Sequence, residues 1–355
     1  MTGESKRIRR HHVVSKFYLK GFADDGGRLR RTVLPGKENF LVSTSNATVI
    51  KDFYTVNLGN GYTTDWWEQV FSRIEHVAAT ALRGLHRGSP LPRDSDERVG
   101  FAMWVAAQYL RTEGSRNQVH QVQSQMYRVM VTLMGKDGLR DFIESRENIE
   151  VSDHRLDAEW DDLTADYGTS IEPDSADHMT TLDRVLIEAT AMLEQRQWML
   201  LRFEHHSLLL SDHPITLLSD GSNSFGGGGG LADSPVIAMP LSRKLGLVMF
   251  REAGPDAAAS VQKDTADTLN RGTVLNARNS VYSHPDDRVS RLFKGEWPEP
   301  RLREIGPVQI PAQVGTADAF SSLDHTAYGC TDADKNSFSL SDMPWPIPGR
   351  SFRWE

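Results

Sequence analysis

Residues 191–203 read Ala191-Met192-Leu193-Glu194-Gln195-Arg196-Gln197-Trp198-Met199-Leu200-Leu201-Arg202-Phe203, and the chain changes character inside them. The stretch from about Thr181 to Glu194 reads as a helix, and Gln197 to Phe203 reads as a strand. The same division extends outward. From about Thr64 to Leu193 the pattern is helical, and from about Gln197 to Phe250 it is strand-like; one helix and an irregular tail close the chain. Segregated rather than alternating elements predict an α+β fold, with a helical layer from the first half packed on a small, mainly antiparallel sheet from the second half.

The helices upstream carry distinct signals. Asp65 and Glu68 have capping-box spacing and open a helix to about Leu85. Its apolar positions, Trp67, Val70, Phe71, Ile74, Val77, Ala78, Ala81 and Leu85, form one stripe, and Glu75 borders it. A second helix follows Pro92 and the Asp94-to-Glu97 spacing and runs to Arg111. It is apolar nearly all round, which places it in the middle of the fold. Gln108 and Arg111 share a face with Trp104, so their polar heads need buried partners, most simply a carboxylate. A third helix runs from Ser115 to about Met134 and stops before Gly135; Ile149 to Thr180 is expected to be an acidic surface connection or a loosely ordered insertion.

Downstream, Ser207 to Leu210, Ile215 to Leu218 and Val236 to Phe250 are β-suggestive. Gly221 to Gly230, with five consecutive glycines, is expected to be a mobile hairpin loop. It has no Gly-Lys-Ser/Thr ending and so is not a phosphate loop. A helix over Ala257–Ala277 and a short strand over Ser280–Ser283 follow. Three units result: a basic, disordered terminus over 1–10, one α+β domain over 10–285, and a proline-rich extension over 286–355.

At 355 residues the chain can build a sizeable core without disulfides or a structural metal. Cys330 is the only cysteine, which excludes an internal disulfide and zinc sites built on paired thiolates, and it points to a cytoplasmic protein with no disulfide-linked partner. The basic cluster Lys6, Arg7, Arg9 and Arg10 leads into His11-His12 rather than an apolar stretch, so no signal peptide is expected. The apolar run Phe101 to Leu110 is about half of the roughly 20 residues that a spanning helix needs, and no membrane association is expected. A net charge of −8 gives no general attraction for nucleic acid. Local basic patches keep nucleic acid open as a partner, and the true partners are not legible.

Stock catalytic signatures are absent: no His-Glu-x-x-His, Gly-x-Ser-x-Gly, dinucleotide fingerprint or calcium loop occurs. Ser260-x-x-Lys263 and the Arg278/His284 pair have catalytic-looking spacings that read as chance. Two other places stand out. His11-His12 precedes Phe17-Tyr18-Leu19 and Phe22, aromatic residues that must pack inward and draw one imidazole with them, since adjacent side chains diverge. Ser211-Asp212-His213-Pro214 interrupts an apolar strand pair, where a bend re-aims side chains; Asp212 is either a site residue or a turn-former bonding backbone.

Taken together, the segments His11 to Phe22, Glu75, Gln108 to Thr112, Ser211 to Pro214, Pro240 to Ser242, Asn270, Ala277-Arg278 and Val281 to Ser283 resemble the family called domain of unknown function 4238. The resemblance covers about residues 10 to 285. This chain departs from the family's opening motif in carrying Ser15 near where a proline is usual. The resemblance implies a set of positions that belong together and no established chemistry.

That set is one of His11 or His12 with Glu75, Gln108, Arg111, Ser211, Asp212 and Asn270. Two functions are compatible with it. In the first the protein is a phosphoester hydrolase, with nucleic acid among its possible substrates. His12, Glu75 and Asp212 would hold a divalent metal ion or act as acid and base, Arg111 would stabilise negative charge, and His11, Gln108, Ser211 and Asn270 would support them. In the second the same network is structural and the protein is a non-catalytic binding or interaction module.

Overall fold

The computed structural model describes residues 9–59, 62–64, 66–93, 95–165, 175–218 and 230–300. The expected caps Asp65 and Asp94, the five-glycine run up to Gly229, nearly all of the basic terminus, Cys330 and the tail from 301 lie outside the described residues.

The chain opens with strand β1 (Arg10–His12), helix α1 (Lys16–Leu19) and a 3-10 turn over Lys20–Phe22. Strands β2 (Arg28–Val33), β3 (Glu38–Ser43), β4 (Val49–Lys51), β5 (Val56–Gly59) and β6 (Tyr62–Thr64) come next. The helical section is α2 (Trp66–His86), α3 (Ser95–Leu110), α4 (Glu113–Glu147), α5 (Asp153–Thr164) and α6 (Ser175–Glu194). Then follow β7 (Gln197–Arg202), β8 (Leu210–Ser211), β9 (Thr216–Leu218), β10 (Val236–Ser242), β11 (Leu245–Phe250), β12 (Ala257–Ser260), α7 (Lys263–Asn276), β13 (Ser280–Ser283) and α8 (Val289–Leu292).

The architecture is α+β, with two principal sheets. One has the strand order β12-β7-β11-β10-β9 and is antiparallel except where β12 runs parallel to β7. Every residue of β10 and β11 is buried, as a strand covered on both faces requires. The other sheet has the order β3-β2-β13-β8, so it is not built from the second half alone: β2 and β3 supply half of it. Helix α3 lies in the middle, with Phe101, Trp104, Val105 and Ala106 at or near zero exposure and the Phe101 ring tilted against Trp198 of β7, centres 5.8 Å apart. One apolar cluster joins residues from Val13 to Tyr282.

Three expectations need correction. The third helix does not stop at Gly135; it bends there, at φ 74°, ψ 171°, a backbone region open essentially to glycine, and continues to Glu147. The acidic stretch 149–180 is not a bare connection. It holds α5, capped by Ser152 through Arg155 N, and α5 packs with α4 around a separate small core of Val131, Leu139, Ile143, Val151 and Leu156. Finally, Ala257–Ser260 is a strand and not the first turn of a helix, because β7 offers it a free edge. Ser260 and Lys263 therefore do not share a helix face.

Candidate functional site

The N-terminal segment is threaded through the core, and its polar atoms must find partners there. Ser15 stands at the N-terminus of α1 with extended backbone (φ −52°, ψ 129°), but its hydroxyl does not cap the helix; it turns inward and is fully buried. There Ser15 Oγ receives Arg111 Nη2 at 2.6 Å, Gln108 Nε2 at 2.8 Å and Trp104 Nε1 at 3.2 Å, and donates to Glu75 Oε1 at 2.8 Å. A hydroxyl has one proton and two lone pairs, so it is saturated, and the longest contact, from Trp104, shares a lone pair. Gln108 also accepts Ser15 N at 3.2 Å through Oε1, gripping backbone and side chain together.

Helical spacing aims these groups at one point. Trp104, Gln108 and Arg111 lie on one face of α3 and its C-terminal turn, and Glu75 comes from α2 opposite. Arg111 is 1% exposed. Its Nη1 meets Glu75 Oε1 at 2.8 Å, its Nε donates to Val13 O at 3.1 Å, and its guanidinium lies 5.1 Å from the centre of the Phe71 ring. Burial opposes its charge, but the Glu75 carboxylate and the neighbouring Tyr54 more than compensate, and its pKa is raised. The Glu75 side chain keeps 26% exposure, so this carboxylate is the edge of the network that touches solvent.

The histidines separate as adjacent strand residues must. His11 is fully buried, stacks on Tyr54 with ring centres 5.3 Å apart, and accepts Tyr54 N at Nδ1, 2.8 Å away. Nδ1 therefore carries no proton. Tyr54 Oη in turn donates to Arg111 O at 3.2 Å. His12 is half-buried. Burial lowers its pKa most, a backbone bond to Ala47 raises it, and Arg111 and Lys16 lower it while Glu75 raises it. Its Nδ1 is buried with no hydrogen-bond partner.

A second polar cluster forms around the bend after β8. Asp212 Oδ1 accepts Arg278 N at 2.8 Å, and Oδ2 accepts Asn279 N at 2.7 Å and Ser280 N at 2.9 Å. The carboxylate thus secures the entry to β13. Burial raises its pKa and these three amides work against the rise. Ser211 Oγ donates to His213 O at 2.7 Å. Asn276 Nδ2 reaches His213 Nδ1 at 3.0 Å, His213 O at 2.9 Å and Ile215 O at 2.7 Å. Asn270 accepts Leu209 N at 2.7 Å and donates to Ser207 O at 2.9 Å, holding the strand entrance on α7.

The turn between α3 and α4 joins the two clusters. Gln108 and Arg111 face Ser15, whereas the Tyr109 ring meets His213 edge-on at 5.6 Å. A Cβ on Gly114 would fall 2.7 Å from Arg278 Nε and 3.1 Å from His213 Cδ2, so the glycine lets both side chains lie close to the start of α4.

Of the expected site residues, the structure brings Glu75, Gln108 and Arg111 together, with His12 as an electrostatic neighbour of Glu75 and Arg111. It does not add Asp212, whose oxygens are taken by backbone amides, nor Ser211 or Asn270, which bond local main chain. His12, Glu75 and Asp212 therefore do not assemble into a cation site as expected. Among the described residues no group of three or more His, Cys, Asp or Glu side chains is placed to hold a metal ion. The expectation missed Ser15, Tyr54 and Asn276. Only the match of Ser15 to an unusual position in the opening motif hinted at the first; the other two have no local signal, because their partners are distant in sequence.

The fold and its two polar clusters define a class: an α+β protein whose N-terminal segment is locked into the core by a buried Ser–Glu–Gln–Arg joint. The chain belongs to the family described as protein of unknown function (DUF4238), whose model matches residues 10–287. No curated protein and no solved structure matches it. Among the described residues no helix is long and apolar enough to cross a membrane.

Proposed function

We propose that this chain is a non-catalytic binding or interaction module of the cytoplasm, in which the Ser15–Glu75–Arg111 network fixes the N-terminal segment against the helical layer. The observation that carries this is the state of Arg111. It is 1% exposed, and Nε, Nη1 and Nη2 each have a protein acceptor. A group that stabilises charge developing on a substrate must reach that substrate, and Arg111 does not. The engagement of Asp212 by three backbone amides supports the same conclusion. A single cysteine supports the cytoplasmic address, and a net charge of −8 favours a small ligand or a protein over nucleic acid. The test is a phosphodiester hydrolysis screen on the full chain, run beside thermal melts of Glu75→Gln. The proposal expects no turnover and a lowered melting temperature. Turnover that Glu75→Gln abolishes at unchanged melting temperature overturns it.

One observation favours the second reading, a phosphoester hydrolase. His12 Nδ1 is buried and unpartnered beside the partly exposed Glu75. A neutral imidazole so placed could act as a base, with the Glu75 carboxylate steadying the imidazolium that forms and Arg111 a positioning residue. His12→Gln separates the two readings: only the hydrolase loses an activity.

A further inference from the structure

Between α7 and residues 291–296 the surface holds a cleft of about 540 Å³, within the range of small-ligand sites. Neither His12 nor Glu75 lines it. Arg271 and Leu275, four residues apart on one face of α7, form one wall; Arg291, Leu292, Phe293 and Lys294 form the other.

The outer wall is anchored and does not collapse onto α7. Phe293 is buried in a second apolar cluster with Leu34, Leu209, Val274, Ala277 and Val281, and the Trp297 ring lies 4.9 Å from it. Trp297 seats on Gly36, where any Cβ would fall 2.5 Å from the indole. Upstream, Asp287 pairs with Arg243 at 2.6 Å and accepts Ser207 Oγ at 3.2 Å. The wall is therefore held on both sides of the cleft-lining residues.

The lining is chemically divided. Leu275, Leu292 and Phe293 give an apolar interior, and three cationic side chains, Arg271, Arg291 and Lys294, stand exposed around it in a chain whose net charge is −8. Two carboxylates also line the cleft, and one of them, Asp267, is already bonded to Lys263 at 2.6 Å; the other is Glu296. Cations at the rim of an apolar cleft suit a ligand with one charged end and one apolar end.

We propose that this cleft binds a small organic anion, a carboxylate or phosphate group on an apolar body. The inference rests on the reading of the chain as a binding module and names the ligand chemistry of that function. The experiment is isothermal titration of the full chain with octanoate, octyl phosphate, 1-octanol and inorganic phosphate, repeated with the double variant Arg291→Ala, Lys294→Ala. Both residues are exposed, so its unliganded melting temperature stays that of the parent. Octanoate or octyl phosphate should bind, the double variant should bind it about tenfold or more weakly, and octanol and phosphate should bind less well. Which of the two anions binds more tightly identifies the head group. Equal binding of octanol, equal binding of inorganic phosphate, undiminished binding by the double variant, or no binding of any of the four overturns the proposal. None of these outcomes produces turnover lost in Glu75→Gln, so failure of the cleft and failure of the binding reading remain distinguishable.

Discussion

Arg111 and Glu75 meet at 2.8 Å, with the guanidinium sealed in the core and the carboxylate at its edge. The pair is asymmetric: Glu75 can recover water if its partner is lost, and Arg111 cannot. Glu75→Ala should therefore cost about 3–5 kcal/mol, the penalty of an uncompensated buried charge, and Glu75→Gln less, because an amide oxygen still accepts. Urea denaturation at neutral pH measures both. A loss below about 1 kcal/mol for Glu75→Ala would show that Arg111 finds another partner.

Ser15 is the second test of the same joint. Ser15→Ala leaves Arg111 Nη2, Gln108 Nε2 and Trp104 Nε1 each short of an acceptor and should cost about 2–3 kcal/mol. The indole reports it directly: Trp104 fluorescence should shift while the unfolding transition stays cooperative.

Much of this was legible in the sequence and some was not, for a physical reason. The stripe of α2 and the all-apolar α3 fixed where Glu75, Gln108 and Arg111 would face, because helical periodicity encodes direction. Asp212 was open between two roles, and the deciding partners, the amides of residues 278–280, lie more than sixty residues away. Strands β2 and β3 have no clear local signal, because β2 mixes charged and apolar residues and its partner β13 is distant, while β3 is an edge strand that leaves Phe40 and Leu41 exposed. Gly135 does not reveal from sequence whether the helix ends or bends there, because a glycine at positive φ serves either.

Asp212→Asn should destabilise by about 2–3 kcal/mol, since an amide replaces one accepting oxygen with a donor facing backbone N–H groups. The expected signature is local: amide hydrogen exchange at Asn279 and Ser280 accelerates more than in α3. Uniform acceleration across the chain would contradict a role confined to the entry of β13.

The pH dependence has a definite sign. Burial lowers the His12 pKa below 6.5, so below that value the unfolded chain takes up a proton that the folded chain resists. This contribution is complete above 6.5 and is lost as pH falls toward the lowered folded value. Asp212, raised above 3.8, acts oppositely in a more acidic window, where the folded chain takes up the proton first. His12→Gln should therefore flatten, without abolishing, the fall in stability just below pH 6.5, as read from melts at a series of pH values. An unchanged slope would remove His12 from the buried set.

Arg31 of β2 bonds Ser280 of β13 at 2.9 Å across 249 positions of sequence. The pairing makes synthesis order matter. Strands β2 and β3 leave the ribosome early, but β2 keeps an unpaired edge until Ser280–Ser283 have followed. Closing so long a loop is slow, and an exposed strand edge recruits other chains in the meantime. The dependence of the first strands on the last therefore sets a period of vulnerability during biosynthesis, and premature termination before Ser280 should yield aggregation rather than a smaller folded protein.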